Sequence, residues 1–332
     1  GIMIDKLKSI FIIPELRQRI LFTIGVLVIV RIGAHIPIPG VNGETLAEAF
    51  TDMKTGLFGL FNTFVGGAFE KASLFSLGIM PYISSSIIIQ LMGSVVPYFQ
   101  RLQKEGEAGR KKINQITRYG TVLLSTMQSY GVVAVFLPSL NSNGVPVVPN
   151  PGWIFIFTGI ISMVTGTLFL MWLGERITER GIGNGISLII MVGIVAAFPN
   201  VILNEVTLLR ENVRGWLSEI VLMGIMFGII CFVVMLTQGT RKIPVQYAKR
   251  VVGRKVYGGQ NTHIPMRVNT AGVMPIIFAQ SIMFIPSTLS TFLGDNDFST
   301  MLMGWFSFEH PFYWTVFGLM IIFFTYFYTA IA

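Results

Sequence analysis

Charge is scarce in this chain. Asp, Glu, Lys and Arg make up 12% of it, against roughly a quarter of a soluble domain. With 52% hydrophobic residues, that shortage excludes an ordinary water-soluble protein and places the chain in the membrane class. Cysteine is nearly absent: Cys231 is the only one, so no disulfide framework exists, and its position inside an apolar run reads as a small buried residue. The three histidines, His35, His263 and His310, are scattered without a His-Glu-x-x-His pattern, so metal chemistry is not expected. Serines within the apolar runs have no base at a readable spacing. No catalytic constellation emerges, and neither an enzyme nor a cofactor is expected. The first residues also lack a short apolar core ending in a small-residue cleavage site. "IDKLKSIFIIPELRQRI" is basic and amphipathic instead, and predicts a helix lying on the membrane surface.

What is present is a series of apolar windows near the roughly 20 residues that a spanning helix needs. They fall at about 20–37, 75–96, 119–138, 153–173, 186–202, 219–237, 271–292 and 313–332. With a cytoplasmic N-terminus, the inner segments hold 19 of the Lys and Arg residues and the outer segments only Lys54, Lys71, Arg210 and Arg214. That asymmetry orients the bundle, with the chain beginning and ending on the cytoplasmic side. No window holds Asp or Glu except at its ends. Ion-coupled transporters generally need such intramembrane carboxylates, so their absence weighs against a small-solute secondary transporter, the alternative function. Arg31 does lie within a window; snorkelling to the outer surface or pairing with a loop acid accounts for it.

Several stretches stand out. "FNTFVGGAFEKAS" (61–73) is too greasy for water and too polar and glycine-rich for a bilayer, and it precedes an apolar helix. In that helix Ile79 and Ile83 share one face, among Gly78, Pro81, Ser84, Ser85 and Ser86. Two readings stay open: close helix packing through small residues, or an apolar constriction facing an aqueous pathway. The loop 239–270, "GTRKIPVQYAKRVVGRKVYGGQNTHIPMRVNT", carries seven Lys/Arg and no acid. Its alternation between glycines predicts a twisted hairpin with its tip near Gly253, basic enough to grip ribosomal RNA or an acidic protein face. "GERITERGIGNGIS" (174–187) lacks the strand and spacing of a dinucleotide loop. It reads as a cytoplasmic turn with Asn184 or Ser187 capping the next helix.

Together these stretches resemble the bacterial SecY family, the central channel subunit of the Sec protein translocase. The resemblance rests on "RIGAHIPIPG" (31–40), "GIMPYISSSIIIQL" (78–91), "EGEAGRKKINQITRYG" (105–120), "MWLGERITERGIGNGIS" (171–187) and "THIPMRVNTAGVMPIIFA" (262–279), in the family's order. It implies an all-α multi-pass bundle of two pseudo-symmetric halves. Residues 1–202 would form the N-terminal half and 203–332 part of the second, with eight of the family's ten spans before Ala332. It implies a protein-conducting channel in the bacterial inner membrane that passes unfolded preproteins across and releases transmembrane segments sideways.

The same resemblance assigns the residues. Stretch 61–73 becomes a plug folded as a short helix, with Phe61, Asn62, Phe64, Gly66, Gly67 and Phe69 in it. Ile79, Ile83, Ile190 and Ile277 become a pore ring. Ser84, Gln128 and Asn269 become polar positions of a lateral gate, and Arg241, Lys249, Arg250, Arg254 and Lys255 contacts to the ribosome or the SecA motor. Implied partners are SecE, usually SecG, SecA or the ribosome with its RNA, preproteins and their signal sequences, and membrane lipid.

Overall fold

The computed structural model describes residues 2–51, 62–63, 65–212, 215–238, 240–246, 250–252, 255–257, 261–267, 301 and 311–331. Their contacts divide the chain into two units, residues 1–199 with 277–319 and residues 200–276 with 320–332.

In the first unit, α1 (Ile2–Ile12) leaves Ile2, Met3, Leu7, Phe11 and Ile12 exposed, as a surface-lying amphipathic helix does where lipid would cover it. Pro14 opens α2 (Pro14–Gly33), a position where a missing N–H costs nothing. The chain then runs extended through Pro37, and α3 (Gly43–Thr51) follows, with Asn42 Oδ1 accepting the Thr45 N–H at 3.3 Å. Next come α4 (Met80–Val95) and α5 (Pro97–Lys104), which meet at a bend of 96°. Pro97 supplies the cause, since it holds Val96 in extended backbone at ψ 124°.

The helix α6 (Glu107–Tyr130) passes through a π-helical stretch, Gly131–Phe136, into a last turn, Leu137–Ser139. A two-residue turn joins β1 (Asn141–Ser142) and β2 (Val145–Pro146), with Asn143 and Gly144 both at positive φ, the backbone that such hairpins favour. Then follow α7 (Trp153–Arg180) and α8 (Gly185–Val195). The remaining elements are α9 (Phe198–Arg210), α10 (Trp216–Gln238), the strands β3 (Thr240–Gln246), β4 (Arg250–Val252), β5 (Lys255–Tyr257) and β6 (Asn261–Arg267), and α11 (Pro311–Ile331).

Four helical stretches among the described residues are long and apolar enough to cross a membrane: 107–139, 153–180, 185–210 and 216–236. They carry the windows expected at 119–138, 153–173, 186–202 and 219–237. The bent pair α4–α5 adds a fifth if counted as one span. That window was expected from residue 75, but the helix starts at Met80 because residues 74–79 fold as turns. The window at 20–37 falls on α2 and the one at 313–332 on α11; 271–292 lies outside the described residues.

Two devices bring these helices together. Along α6, Thr117, Thr121, Ser125 and Ser129 are buried one turn apart. Each hydroxyl donates to the carbonyl four residues back, Thr121 to Thr117 at 2.8 Å and Ser125 to Thr121 at 2.6 Å among them. Their polar atoms are therefore satisfied inside the helix, and the small stripe is free to pack. From α4, the Ser85 hydroxyl donates to the same Thr117 carbonyl at 2.8 Å, and a Cβ on Gly120 would lie 2.4 Å from Ser85 Oγ.

Glycine is the second device. A Cβ on Gly185 would lie 1.9 Å from the Gly174 carbonyl oxygen, so α7 and α8 touch backbone to backbone where they leave their shared turn. The apolar core gathers Ile38, Leu46, Phe50, Phe69, Phe136, Val147, Phe155 and Met163, among others. Phe69 stands edge-on to Phe50 at 5.7 Å between ring centres and tilted to Phe136 at 5.4 Å.

Candidate functional site

The segment before α4 is the centre of the first unit. Its later part is structural. The Ile38 N–H donates to Ala72 O at 2.9 Å and the Leu74 N–H to Ile36 O at 3.0 Å, with Pro37 bridged to Ser73. "HIPIP" and "ASL" thus form a short two-stranded clasp. Ala68, Phe69, Ala72, Ser73, Phe75 and Leu77 are buried. Phe75 fits because Gly33 leaves room; a Cβ there would fall 2.0 Å from its ring, and one on Gly166 would fall 2.0 Å from Leu74 O. Fully burying a phenylalanine contributes about 1.5–3 kcal/mol, so this part is core rather than loop.

The earlier part is a tight turn. Asn62 closes it, its Oδ1 accepting the Glu70 N–H at 2.8 Å and its Nδ2 donating to Glu70 Oε2 at 3.3 Å. The Gly67 N–H donates to Asn62 O at 2.8 Å. Gly66 and Gly67 stand at φ +73° and +82°, backbone that a side chain would strain. A Cβ on Gly66 would lie 2.8 Å from Gly193 Cα on α8, and one on Gly78 would lie 2.6 Å from Val65 Cγ1. The turn therefore rests at once on α8 and on the residue before Ile79. Of the short helix expected over 61–73, Asn62 and Thr63 are helical, whereas 65–72 is a run of turns, because two consecutive left-handed glycines cannot continue a helix. Phe61 and Phe64 lie outside the described residues.

Of the expected ring, Ile79, Ile83 and Ile190 are buried, at 4%, 2% and 8% exposure. The Ile83 N–H donates to Ile79 O at 3.0 Å, so the two are one helical turn apart, and Ile190 lies one turn before Gly193 on α8. Ile277 lies outside the described residues. Ser84 on α4 and Gln128 on α6 are part-exposed; Asn269 lies outside. Of the two readings of Arg31, the pairing with a loop acid is corrected. The Arg31 Nη1–H donates to the Gly66 carbonyl at 2.7 Å, and among the described residues no carboxylate stands within ion-pair distance of it. Beside it, Lys71 Nζ is hydrogen-bonded to His35 Nδ1. Burial, with Arg31 close by, pulls the Lys71 ammonium below the ordinary lysine value, and Glu70 opposes the shift.

On the turn 181–184, Asn184 is the cap, its Oδ1 accepting the N–H groups of Ile186 and Ser187 at 3.1 and 3.3 Å. Arg19 and Thr23 of α2 anchor this turn: Arg19 donates to Gly181 O at 3.2 Å, and Thr23 Oγ1 accepts the Ile182 N–H at 3.1 Å. Nothing in the spacing of "GERITERGIGNGIS" pointed to α2 as its partner.

In the second unit, β3 pairs with β6 antiparallel from Thr240↔Arg267 to Gln246↔Asn261, and β4 with β5 from Arg250↔Tyr257 to Val252↔Lys255. Both ladders keep one register, so they are two parts of a single hairpin with Gly253 and Arg254 between its last paired residues, as the alternation predicted. Arg241, Arg250 and Lys255 are strand residues of it. Lys249 and Arg254 lie outside the described residues.

Known proteins share this arrangement. Residues 73–332 match the SecY family model. The chain belongs to the SecY family. It is 47% identical over 321 residues to the protein translocase subunit SecY of Buchnera aphidicola, covering 96% of this chain and 89% of that one. The SecY of Escherichia coli K12 is 47% identical over 320 residues, covering 96% and 72%. Among solved structures, a protein-conducting channel superposes with a TM-score of 0.62 at 16% identity, over 94% of this chain and 71% of that one. A SecY whose plug domain is described as stabilising the closed channel gives 0.55 at 17% identity, over 86% and 59%. Sec61 from a canine ribosome–channel complex gives 0.54 at 17%, over 86% and 60%. At these identities the structures show a shared fold, that of a SecY-type membrane channel.

Proposed function

We propose that this SecY-family chain is the channel subunit of a protein translocase, and that segment 62–67 with the isoleucines Ile79, Ile83, Ile190 and Ile277 seals it at rest. The carrying observation is the turn at Val65–Gly66. It touches both described elements that bear ring positions, at Gly78 beside Ile79 and at Gly193 one turn from Ile190. Branched aliphatic side chains offer no hydrogen bond to ions or water, yet deform around a passing chain, which suits a gasket indifferent to sequence. Residues 68–77 are held by core packing and the clasp to 36–38, so the part that moves aside ends at the glycines. Ser84, Gln128 and Asn269 are read as polar positions of a lateral gate that a hydrophobic signal helix outcompetes.

The basic hairpin supports contact with the ribosome or the SecA motor through Arg241, Lys249, Arg250, Arg254 and Lys255. SecE and SecG are the expected companions, and the bacterial inner membrane with a cytoplasmic N-terminus the expected setting. The small-solute transporter reading is set aside, since the relatives are translocase subunits.

The test is ion conductance of the full-length protein with its partner subunits, reconstituted in vesicles. Ile83→Asp is expected to raise the resting leak, and unchanged conductance would remove the gasket role. During translocation, a cysteine at residue 65 should become more accessible from outside; protection that never changes would sink the plug reading.

A further inference from the structure

The two ends of segment 62–77 are held differently. After Gly67 the chain is fixed by buried aromatic and aliphatic side chains and by the backbone pairs to Ile36 and Ile38. Before Gly67 the chain meets α2 through a polar contact, Arg31 Nη1–H to Gly66 O at 2.7 Å, on a glycine pressed against Gly193. Arg31 stands in a run of aliphatic residues on α2, and an apolar groove of about 390 Å³ lined by Ile24, Leu27, Val28, Ile32 and Val192 flanks it. A guanidinium in such surroundings needs an acceptor, and the Gly66 carbonyl is the one that the described residues supply. The bond is charge-assisted and sits beside apolar side chains, where such a bond is stronger than in water.

We propose that Arg31 is the latch of the plug: a positioning residue that holds the Gly66 carbonyl, keeps Gly66 against α8 and so sets the balance between seated and displaced segment. The inference rests on the plug reading above. Deleting the latch favours departure of segment 62–67, whose Asn62–Glu70 bonds open with it, without releasing 68–77, which the core retains. It therefore biases an existing two-state equilibrium rather than dismantling the fold.

The experiment uses the full-length complex in vesicles, with Val65→Cys in a Cys231→Ser background, read as the rate of labelling from outside by a membrane-impermeant maleimide in the absence of preprotein. Arg31→Met is expected to raise that rate roughly tenfold or more, the factor a charge-assisted hydrogen bond represents. Arg31→Lys should fall between Met and wild type. The ion leak should rise with Arg31→Met in the intact chain and not rise further when residues 62–67 are deleted.

If the deletion raises the leak but Arg31→Met leaves labelling unchanged, the latch is wrong and the plug reading stands. If the deletion itself changes nothing, both fall. A lysine no better than methionine, or a leak that adds to the deletion, makes Arg31 a packing residue and overturns the proposal. Should Arg31→Met fail to assemble, Arg31→Gln removes the charge while keeping most of the side chain's bulk. Raised labelling then supports the latch, and unchanged labelling refutes it.

Discussion

Helices α7 and α10 are both apolar enough to span a membrane, yet they are opposite in kind. The α7 window has a mean hydropathy of 2.1 and is 39% buried, whereas that of α10 reaches 2.7 and is only 6% buried. Both contain glycines. On α7 each meets something: a Cβ on Gly159 would lie 2.8 Å from Val133 Cγ2, on Gly166 2.0 Å from Leu74 O, on Gly174 3.1 Å from Ile186 Cγ1. On α10, Gly224 and Gly228 have no described atom within 4 Å of that position. The more hydrophobic helix is the less buried one. Lipid is as apolar as a leucine side chain, so hydrophobicity selects the bilayer but not a partner; close approach through small residues selects the partner.

Four substitutions test that contrast. The largest effect is expected for Gly166→Leu, whose side chain would have to displace the backbone at Leu74. Its cost should reach about 3 kcal/mol or more, seen as loss of folded protein after heating in detergent. Full stability there would mean that α7 and the clasp do not pack as described. Gly159→Ala should cost less, about 1–3 kcal/mol, since the Val133 side chain has some freedom to turn; a value near zero would blunt the comparison.

Arg118→Met removes the 2.7 Å bond to Glu175 between α6 and α7. That pair is 51% and 30% exposed, so the loss should stay within about 1 kcal/mol. A larger loss would show that this ion pair, not the small-residue contacts, joins the two helices. Smallest of all, Gly228→Ala on α10 should leave thermal stability unchanged within about 0.5 kcal/mol or raise it slightly. A clear loss would reveal a close neighbour for α10 and erase the difference from α7.

Much of this was legible beforehand. The windows at 119–138, 153–173, 186–202 and 219–237 landed on helices, because a bilayer's thickness imposes a length that can be read residue by residue. The hairpin over 240–267 followed from alternation between glycines, and the Asn184 cap from a side chain that bonds its own next turn. The segment at 61–73 was marked by its mixed character, but as one object. The fold splits it at Gly67, into a turn held by polar contacts and a stretch that is core. The anchoring of the 181–184 turn by Arg19 and Thr23 gave no sign in the spacing, since those partners lie about 160 residues apart. Arg31 was noticed for being a charge in an apolar run, but where a loop acid was offered as one partner the structure supplies a backbone carbonyl.

By itself, then, the order of residues determined the membrane class, the places of the long apolar helices and the local turns. Hydropathy, charge and capping are sums over neighbours in the chain. Only the tertiary structure decided that Arg31 meets a carbonyl instead of an acid, that Phe69 and Phe75 are core while Gly66 lies against Gly193, and which glycines are contacts. Each of those depends on the distance between segments far apart in the chain, and such a distance is set by packing and not by composition.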